Sequence, residues 1–216
     1  MTKDIPSAIN FHDIDDARRW ADEADEQRPY RIEFFDRIAE EINRCFKLPI
    51  SILEIGSGPG YLAEHILQRS KIGSYYLLDF SDAMHRMARE RLEPFRGKTH
   101  FLIRDFKTEN WTKGLGPYDA VAIMQSAHEV RHKSHISKLF SQIRTLIQNN
   151  GYFLMCDHCI EGMKNGNPEL YMTKDGQYDA LKQAGFESME LIMEKGSLVL
   201  YRANKSSQVY IERKSK

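Results

Sequence analysis

Between residues 50 and 157 the chain alternates short apolar runs with helical stripes, and this alternation restricts the fold more than any other feature. The apolar runs fall at 50–55 (ISILEI), 74–79 (SYYLLD), 99–104 (THFLIR), 118–124 (YDAVAIM) and 151–157 (GYFLMCD). Helical spacing separates them at 60–70, 82–92 and 134–149, the last through the stripe Ile136, Leu139, Phe140, Ile143 and Ile147. Strands that alternate with helices imply right-handed crossovers and a parallel sheet covered on both faces. The alternation breaks near the end of the chain. A helix over 175–184 stops at Gly185, and two runs, 186–193 and 197–203, flank Glu194-Lys195-Gly196 as an antiparallel hairpin would. The expected fold is therefore α/β, with a doubly wound, mostly parallel seven-stranded sheet, helices on both faces and a C-terminal antiparallel hairpin.

Two helices precede the first strand. Residues 13–27 carry sparse apolar positions, and after Pro29 the stripe Ile32, Phe35, Ile38, Ala39, Ile42, Cys45 and Phe46 is regular. These divisions predict a helical cover at 1–48, a sheet domain at 49–205 and a basic tail at 206–216. With 31 basic and 31 acidic residues the chain is neutral, which gives no electrostatic reason to expect nucleic acid or an anionic membrane as partner. No apolar run approaches the length of a membrane span, and the polar start MTKDIPSAIN lacks a secretory apolar block. Three cysteines are too few for a disulfide scaffold, so reduced thiols and the cytoplasm are expected.

The first strand runs into Leu53-Glu54-Ile55-Gly56-Ser57-Gly58-Pro59-Gly60. In open parallel sheets, ligands sit at the carboxyl ends of the strands, where this loop falls. Its spacing is Gly-x-Gly-x-Gly. The dinucleotide fingerprint needs a glycine at 61, which is tyrosine, and no Gly-Lys-Ser/Thr follows for a phosphate loop. Asp79 ends the second strand 19 residues after Gly60, and a carboxylate there suits the two hydroxyls of a ribose. Asp105-Phe106 ends the third strand, an acid for an exocyclic amine beside a ring for a base face.

The segments LEIGSGPGYLAEHIL, LLDFSDAMHRMARERL, RDF, YDAVAIMQSAHEV and NNGYFLMCD resemble, in order, the motifs of the class I S-adenosylmethionine-dependent methyltransferases, over about residues 50–160. The resemblance implies S-adenosylmethionine as cofactor and S-adenosylhomocysteine as product. It implies that Gly56, Gly58 and Gly60 approach the methionine moiety while Glu54 orders the loop. Asp79 would hold the ribose, Phe80 and Met84 would lie near the adenine, and Asp105 and Phe106 would bind its edge. Gln125 would face the cofactor, and one of Arg28, Tyr30 and Arg31 would reach its carboxylate.

A sulfonium is already activated, so alignment and exclusion of water can supply most of the rate. A general base depends on the acceptor. His128, Glu129, Asp157 and His158 lie at the ends of strands four and five, and His128 is the expected base because imidazole titrates near neutrality. The Asn/Asp-Pro-Pro-Tyr signature of nucleobase and glutamine methylation is missing at Met124-Gln125-Ser126-Ala127, which favours a small-molecule acceptor. The loop-like segment 160–174 would select it, and the terminal hairpin offers an edge for a homodimer.

Two other readings share these residues. A protein of this fold can bind the cofactor without transferring the methyl group, as a sensor or regulatory subunit would. His128-Glu129-Val130-Arg131-His132 also spells the zinc-hydrolase string, but that chemistry needs both histidines on one helical face. Here the helix is expected to begin only at Ser134, and no spaced third ligand is present, so no metal is expected. Cys156-Asp157-His158-Cys159 lacks the second cysteine pair of a zinc site and the helix start of a redox pair.

Overall fold

A computed structural model describes residues 3–206, apart from the side chain of Asp25. All but the first residue of the tail expected at 206–216 lies outside the described residues. Seven strands form one sheet: β1 (Ile50–Ile55), β2 (Ile72–Asp79), β3 (Thr99–Ile103), β4 (Tyr118–Met124), β5 (Ile147–His158), β6 (Ser188–Lys195) and β7 (Leu198–Asn204). Their order is β3-β2-β1-β4-β5-β7-β6. The first five pair in parallel, and β7 runs antiparallel to both β5 and β6. The order reverses between β1 and β4, so the carboxyl ends of β1, β2, β4 and β5 form one crest at the switch point.

Helices α1 (Ile14–Gln27) and α2 (Arg31–Cys45) precede the sheet, and α3 (Tyr61–Arg69), α4 (Asp82–Arg91), α5 (Ile136–Thr145) and α6 (Lys174–Gln183) follow within it. Strand periodicity divides the core into two faces. Leu53, Ile55, Val121, Ile123, Phe153 and Met155 pack with α5 and α6. Ile52, Ala120, Ala122, Tyr152 and Leu154 pack with α2 and α3. Burial on both faces is why these strands read as continuous apolar runs. Helix α1 lies against α4, where Ala17, Ala83 and Met84 meet Phe11 and Trp20.

Several boundaries move: β6 runs on through Glu194 and Lys195, which the sequence placed in the hairpin turn, and β5 starts earlier than expected, for a clear physical cause. The stripe that continues through Ile147 suggests a helix to residue 149, yet α5 stops at Thr145 and β5 starts at Ile147. Ile147 instead pairs with Tyr118, and the Leu146 carbonyl accepts from the Tyr118 N–H at 2.8 Å. Gly151 permits this pairing: a Cβ there would lie 2.5 Å from the Asp119 carbonyl oxygen. Sheet pairing has overridden a helical pattern.

Candidate active site

The β1–α3 loop is shaped by backbone conformation. Gly56 has φ +67°, and a Cβ there would stand 2.5 Å from Ser126 Cβ. Ser126 Oγ donates to the Ile55 carbonyl at 2.8 Å, stitching the loop to the end of β4. Gly58 (φ +54°) faces open space: a Cβ at this position would meet nothing within 4 Å. Beside it the buried Ser57 hydroxyl has no hydrogen-bond partner among the described residues. An unpartnered polar group next to open backbone is what a polar ligand would satisfy. Gly60 completes the loop as the left-handed residue that begins α3.

Asp79 closes β2 and is buried. One carboxylate oxygen accepts from Gly58 N–H at 2.8 Å and the other from Ser81 N–H at 2.9 Å. Burial raises its pKa above the ordinary value, against the pull of those N–H donors. Phe80 and Phe106 line a cavity of about 340 Å³ with Lys107, Glu129 and Arg131. Its outer wall is residues 4–12, a strap across the crest. Asp105 lies beside this cavity and spends one oxygen on the Lys107 N–H at 2.8 Å.

At the ends of β4 and β5 the geometry rests on side chains. Gln125 leaves β4 with φ +58°, uncommon for a residue with a Cβ. It places its amide Nε2 at 3.0 Å from His158 Nε2. His158 Nδ1 meets Ser197 Oγ at 2.7 Å. Burial, together with the nearby His128 and Arg28, holds His158 down at a pKa of about 4 despite Asp157. The bonds fit a neutral ring that accepts from Gln125 and donates to Ser197. A 3₁₀ turn, Ala127–Val130, then carries His128 over Asp157. Asp157 accepts from His128 N–H at 2.8 Å and from His128 Nδ1 at 2.7 Å. Burial alone would lower the His128 pKa, but Asp157 and Glu129 raise it above the ordinary imidazole value. The same pairing lowers Asp157 below the ordinary carboxyl value although burial opposes this. His128 Nε2 points towards Glu129, with Oε1 at 3.5 Å.

The family model for a methyltransferase domain matches residues 24–192 of this chain. The chain belongs to the methyltransferase family. The hybrid PKS-NRPS synthetase poxE of Penicillium oxalicum is 26% identical over 112 residues, 50% of this chain and 3% of that protein. The carboxy-S-adenosyl-L-methionine synthase of Nautilia profundicola is 24% identical over 147 residues, 68% of this chain and 59% of that one. The chain thus spans a small part of the synthetase and under two thirds of the synthase. Among solved structures, an S-adenosylmethionine-dependent methyltransferase from Clostridium acetobutylicum shares the fold. Its TM-score is 0.69 at 12% identity, over 87% of this chain and 96% of that one.

Several residues of the methyltransferase lie elsewhere than the sequence suggests. Glu54, expected to order the glycine loop, accepts instead from Tyr75 Oη at 2.9 Å, because the alternation of β1 turns position 54 to the face of Ile52. Burial raises Glu54 to a pKa of about 8, so its carboxyl is neutral at pH 7. Met84 is buried against Ala17 and Ala83 and seats α1, while its N–H is capped by Ser81 Oγ. Arg31 is buried with its guanidinium 4.8 Å from the centre of the Tyr61 ring, and Tyr30 sits beside Phe34. Arg28 is half-buried, and its pKa is lowered by burial and by Arg31, against Tyr171, Tyr30 and Asp157.

The zinc-hydrolase string does not form one helical face. Arg131 takes a left-handed conformation after the 3₁₀ turn, and His132 follows in extended backbone. His132 Nε2 lies 3.0 Å from Glu169 and Nδ1 2.8 Å from Ser134 Oγ, away from His128. Among the described residues no group of three His, Cys, Asp or Glu side chains is arranged to hold a metal ion. Cys156 and Cys159 fall in cores on opposite faces of the sheet, and burial raises both thiol pKa values. Tyr171, 5.1 Å from His128 between ring centres, was legible only as part of the loop 160–174. Arg131 carried no signal for its structural role, since nothing local marks a left-handed arginine.

Proposed function

We propose that this methyltransferase uses S-adenosylmethionine to methylate a small-molecule acceptor, with His128 as general base and Asp157 holding it. When bound, the cofactor supplies a methyl group activated for in-line displacement. The open backbone at Gly58 and the unpartnered Ser57 hydroxyl fit the polar amino-acid end of this cofactor. Asp79 offers its remaining lone pairs to the ribose hydroxyls. Phe80, Asp105 and Phe106 would hold the adenine, and the 340 Å³ cavity falls in the range of small-ligand sites.

The observation that carries the reading is the shared edge of the two regions. Glu129 lines the cavity bounded by Phe80 and Phe106 and also faces His128 Nε2. The base therefore stands at the margin of the cofactor crevice, with Asp157 fixing the ring through Nδ1. His128 must be neutral to accept a proton. Because its pKa is raised, activity should climb with pH through a value above the ordinary imidazole range.

The match to a stretch of the hybrid PKS-NRPS synthetase supports a small-molecule acceptor. Tyr171 lies against His128 and Arg28 interacts with Tyr171 and Asp157; with the loop before α6 they would select the acceptor. No described helix is long and apolar enough to cross a membrane, and none of the three cysteines forms a disulfide, which fits the reducing cytoplasm. The β6 edge would support a homodimer, which analytical ultracentrifugation tests. The functional test is a thermal-shift panel of S-adenosylmethionine, S-adenosylhomocysteine, NAD, ATP and Zn²⁺ with a chelator. Preferential stabilisation by the first two is expected, and preference for NAD or Zn²⁺ overturns the reading. Transfer of a labelled methyl group into a metabolite pool then identifies the acceptor.

A further inference from the structure

The segment that walls the cavity is fastened from outside at several residues: Ser81 Oγ donates to the Phe11 carbonyl, His135 Nε2 lies 3.2 Å from Asp4 Oδ1, and Arg131 makes three bonds to its first residues. Arg131 donates from Nε to the Ile5 carbonyl at 2.8 Å and from Nη2 to the Pro6 carbonyl at 2.7 Å. Its own carbonyl accepts from Ile5 N–H at 2.9 Å. The third arm, Nη1, reaches Glu129 Oε2 at 3.1 Å, and the other oxygen of Glu129 faces His128. The Arg131 backbone is left-handed, with φ +68°. A long side chain rarely occupies that region, and such outliers persist where surrounding contacts fix them. Here the strap and Glu129 supply those contacts.

We propose that Arg131 is a positioning residue: its guanidinium ties the N-terminal strap, which walls the cofactor cavity, to the carboxylate that faces His128. The seat of the strap's first residues and the state of the base thereby depend on the same side chain. The inference rests on the cofactor reading above. A planar fork suits this role because its spread nitrogens serve two carbonyls and a carboxylate at once, whereas a lysine ammonium offers its three donors from a single point. His128 is faced by Asp157 and His158 from β5, by Glu129 and Arg131 from its own turn and by Tyr171 from the loop before α6, while Arg28 at the end of α1 acts on the neighbouring His158, Asp157 and Tyr171. Of these, Arg131 is the cation that opposes protonation of His128.

The test uses S-adenosylhomocysteine calorimetry and histidine NMR titration on the full chain, so the acceptor is not needed. Arg131→Ala should weaken S-adenosylhomocysteine binding about tenfold, since charge-assisted bonds to the strap are lost, and should move the His128 titration midpoint to higher pH. Arg131→Lys should keep the midpoint, because the charge stays beside Glu129, without restoring affinity. Wild-type affinity or an unmoved midpoint in Arg131→Ala, or restored affinity in Arg131→Lys, overturns the proposal. If Arg131→Ala fails to fold, Ile5→Pro removes the strap's N–H donor and leaves Arg131 in place. It should bind S-adenosylhomocysteine more weakly, and unchanged affinity also overturns the proposal. A wild-type protein that binds no S-adenosylhomocysteine sinks the cofactor reading itself, a result distinct from any variant's.

Discussion

Asp79 and Asp157 are both buried carboxyls at the carboxyl ends of strands, yet their acidities move in opposite directions. Asp79 takes its bonds from the backbone N–H groups of Gly58 and Ser81, and burial leaves its pKa raised. Asp157 has the His128 imidazole at 2.7 Å, and its pKa is lowered although it is equally buried. A cation at contact outweighs desolvation where backbone dipoles do not. One half of the crest therefore holds its carboxyl on backbone N–H groups, while the other pairs its carboxyl with an imidazole.

The sharpest way to break this comparison is Asp157→Asn. Methyl transfer should fall about 10²- to 10⁴-fold, the usual worth of a positioned base, while calorimetric affinity for S-adenosylhomocysteine stays at the wild-type value. The acid limb of the rate profile should also move to lower pH, since the imidazolium loses its anion. Loss of cofactor affinity instead would place Asp157 in the cofactor half.

Glu54→Gln tests the β1–β2 half, where burial is unopposed by a cation. Glu54 has a pKa of about 8 when folded and an ordinary carboxyl value when unfolded. Unfolding releases its proton above that ordinary value, so native stability declines as pH rises towards 8. An amide in its place does not titrate. Glu54→Gln should therefore match the wild type near pH 4 and exceed it by about 3 kcal/mol at pH 7, as read from urea melts at both pH values. Equal stability at pH 7 would show that the acid is ionised.

Asp79→Ala should weaken S-adenosylmethionine binding by about 1.5–3 kcal/mol, the range for hydrogen bonds to charged groups, and should lower the unfolding temperature, because the Gly58 and Ser81 N–H groups lose their acceptor. Unchanged affinity removes Asp79 from the site.

The smallest effect is expected at His85 on α4. It is fully buried against Phe101, and neither ring nitrogen has a hydrogen-bond partner among the described residues. Burial and Arg89 lower its pKa to about 4, so acid costs it stability between about pH 6.5 and 4. His85→Leu should stabilise the fold by about 1 kcal/mol at pH 7 and by more at pH 5. A destabilised variant would mean that the imidazole is solvated or bonded.

The glycine loop and Asp79 were legible because each depends on neighbours a few residues away: a turn that excludes side chains, then a strand end. The same held for the hairpin at Gly196, whose positive φ terminates β6. Glu54 misled because its motif position says nothing of which sheet face its side chain takes. Tyr75 on the adjacent strand decided that. His128 was expected as a base from titration chemistry, but its orientation depends on Asp157, 29 residues on. Arg131 read merely as a cation near a metal string, and it proved to be the anchor of residues 126 and 125 positions away, Ile5 and Pro6.

Residue order by itself determined the alternating elements, the parallel sheet with its terminal hairpin, and the glycine-lined turn that opens α3. Periodicity and turn chemistry act over a few residues and survive without knowledge of neighbours in space. Only the tertiary structure decided which carboxyl meets which histidine, where β5 begins, and how the strap is fastened across the crest. Those outcomes depend on strand order and register, which bring together side chains that no local pattern relates, and on burial, which sets whether their charges persist.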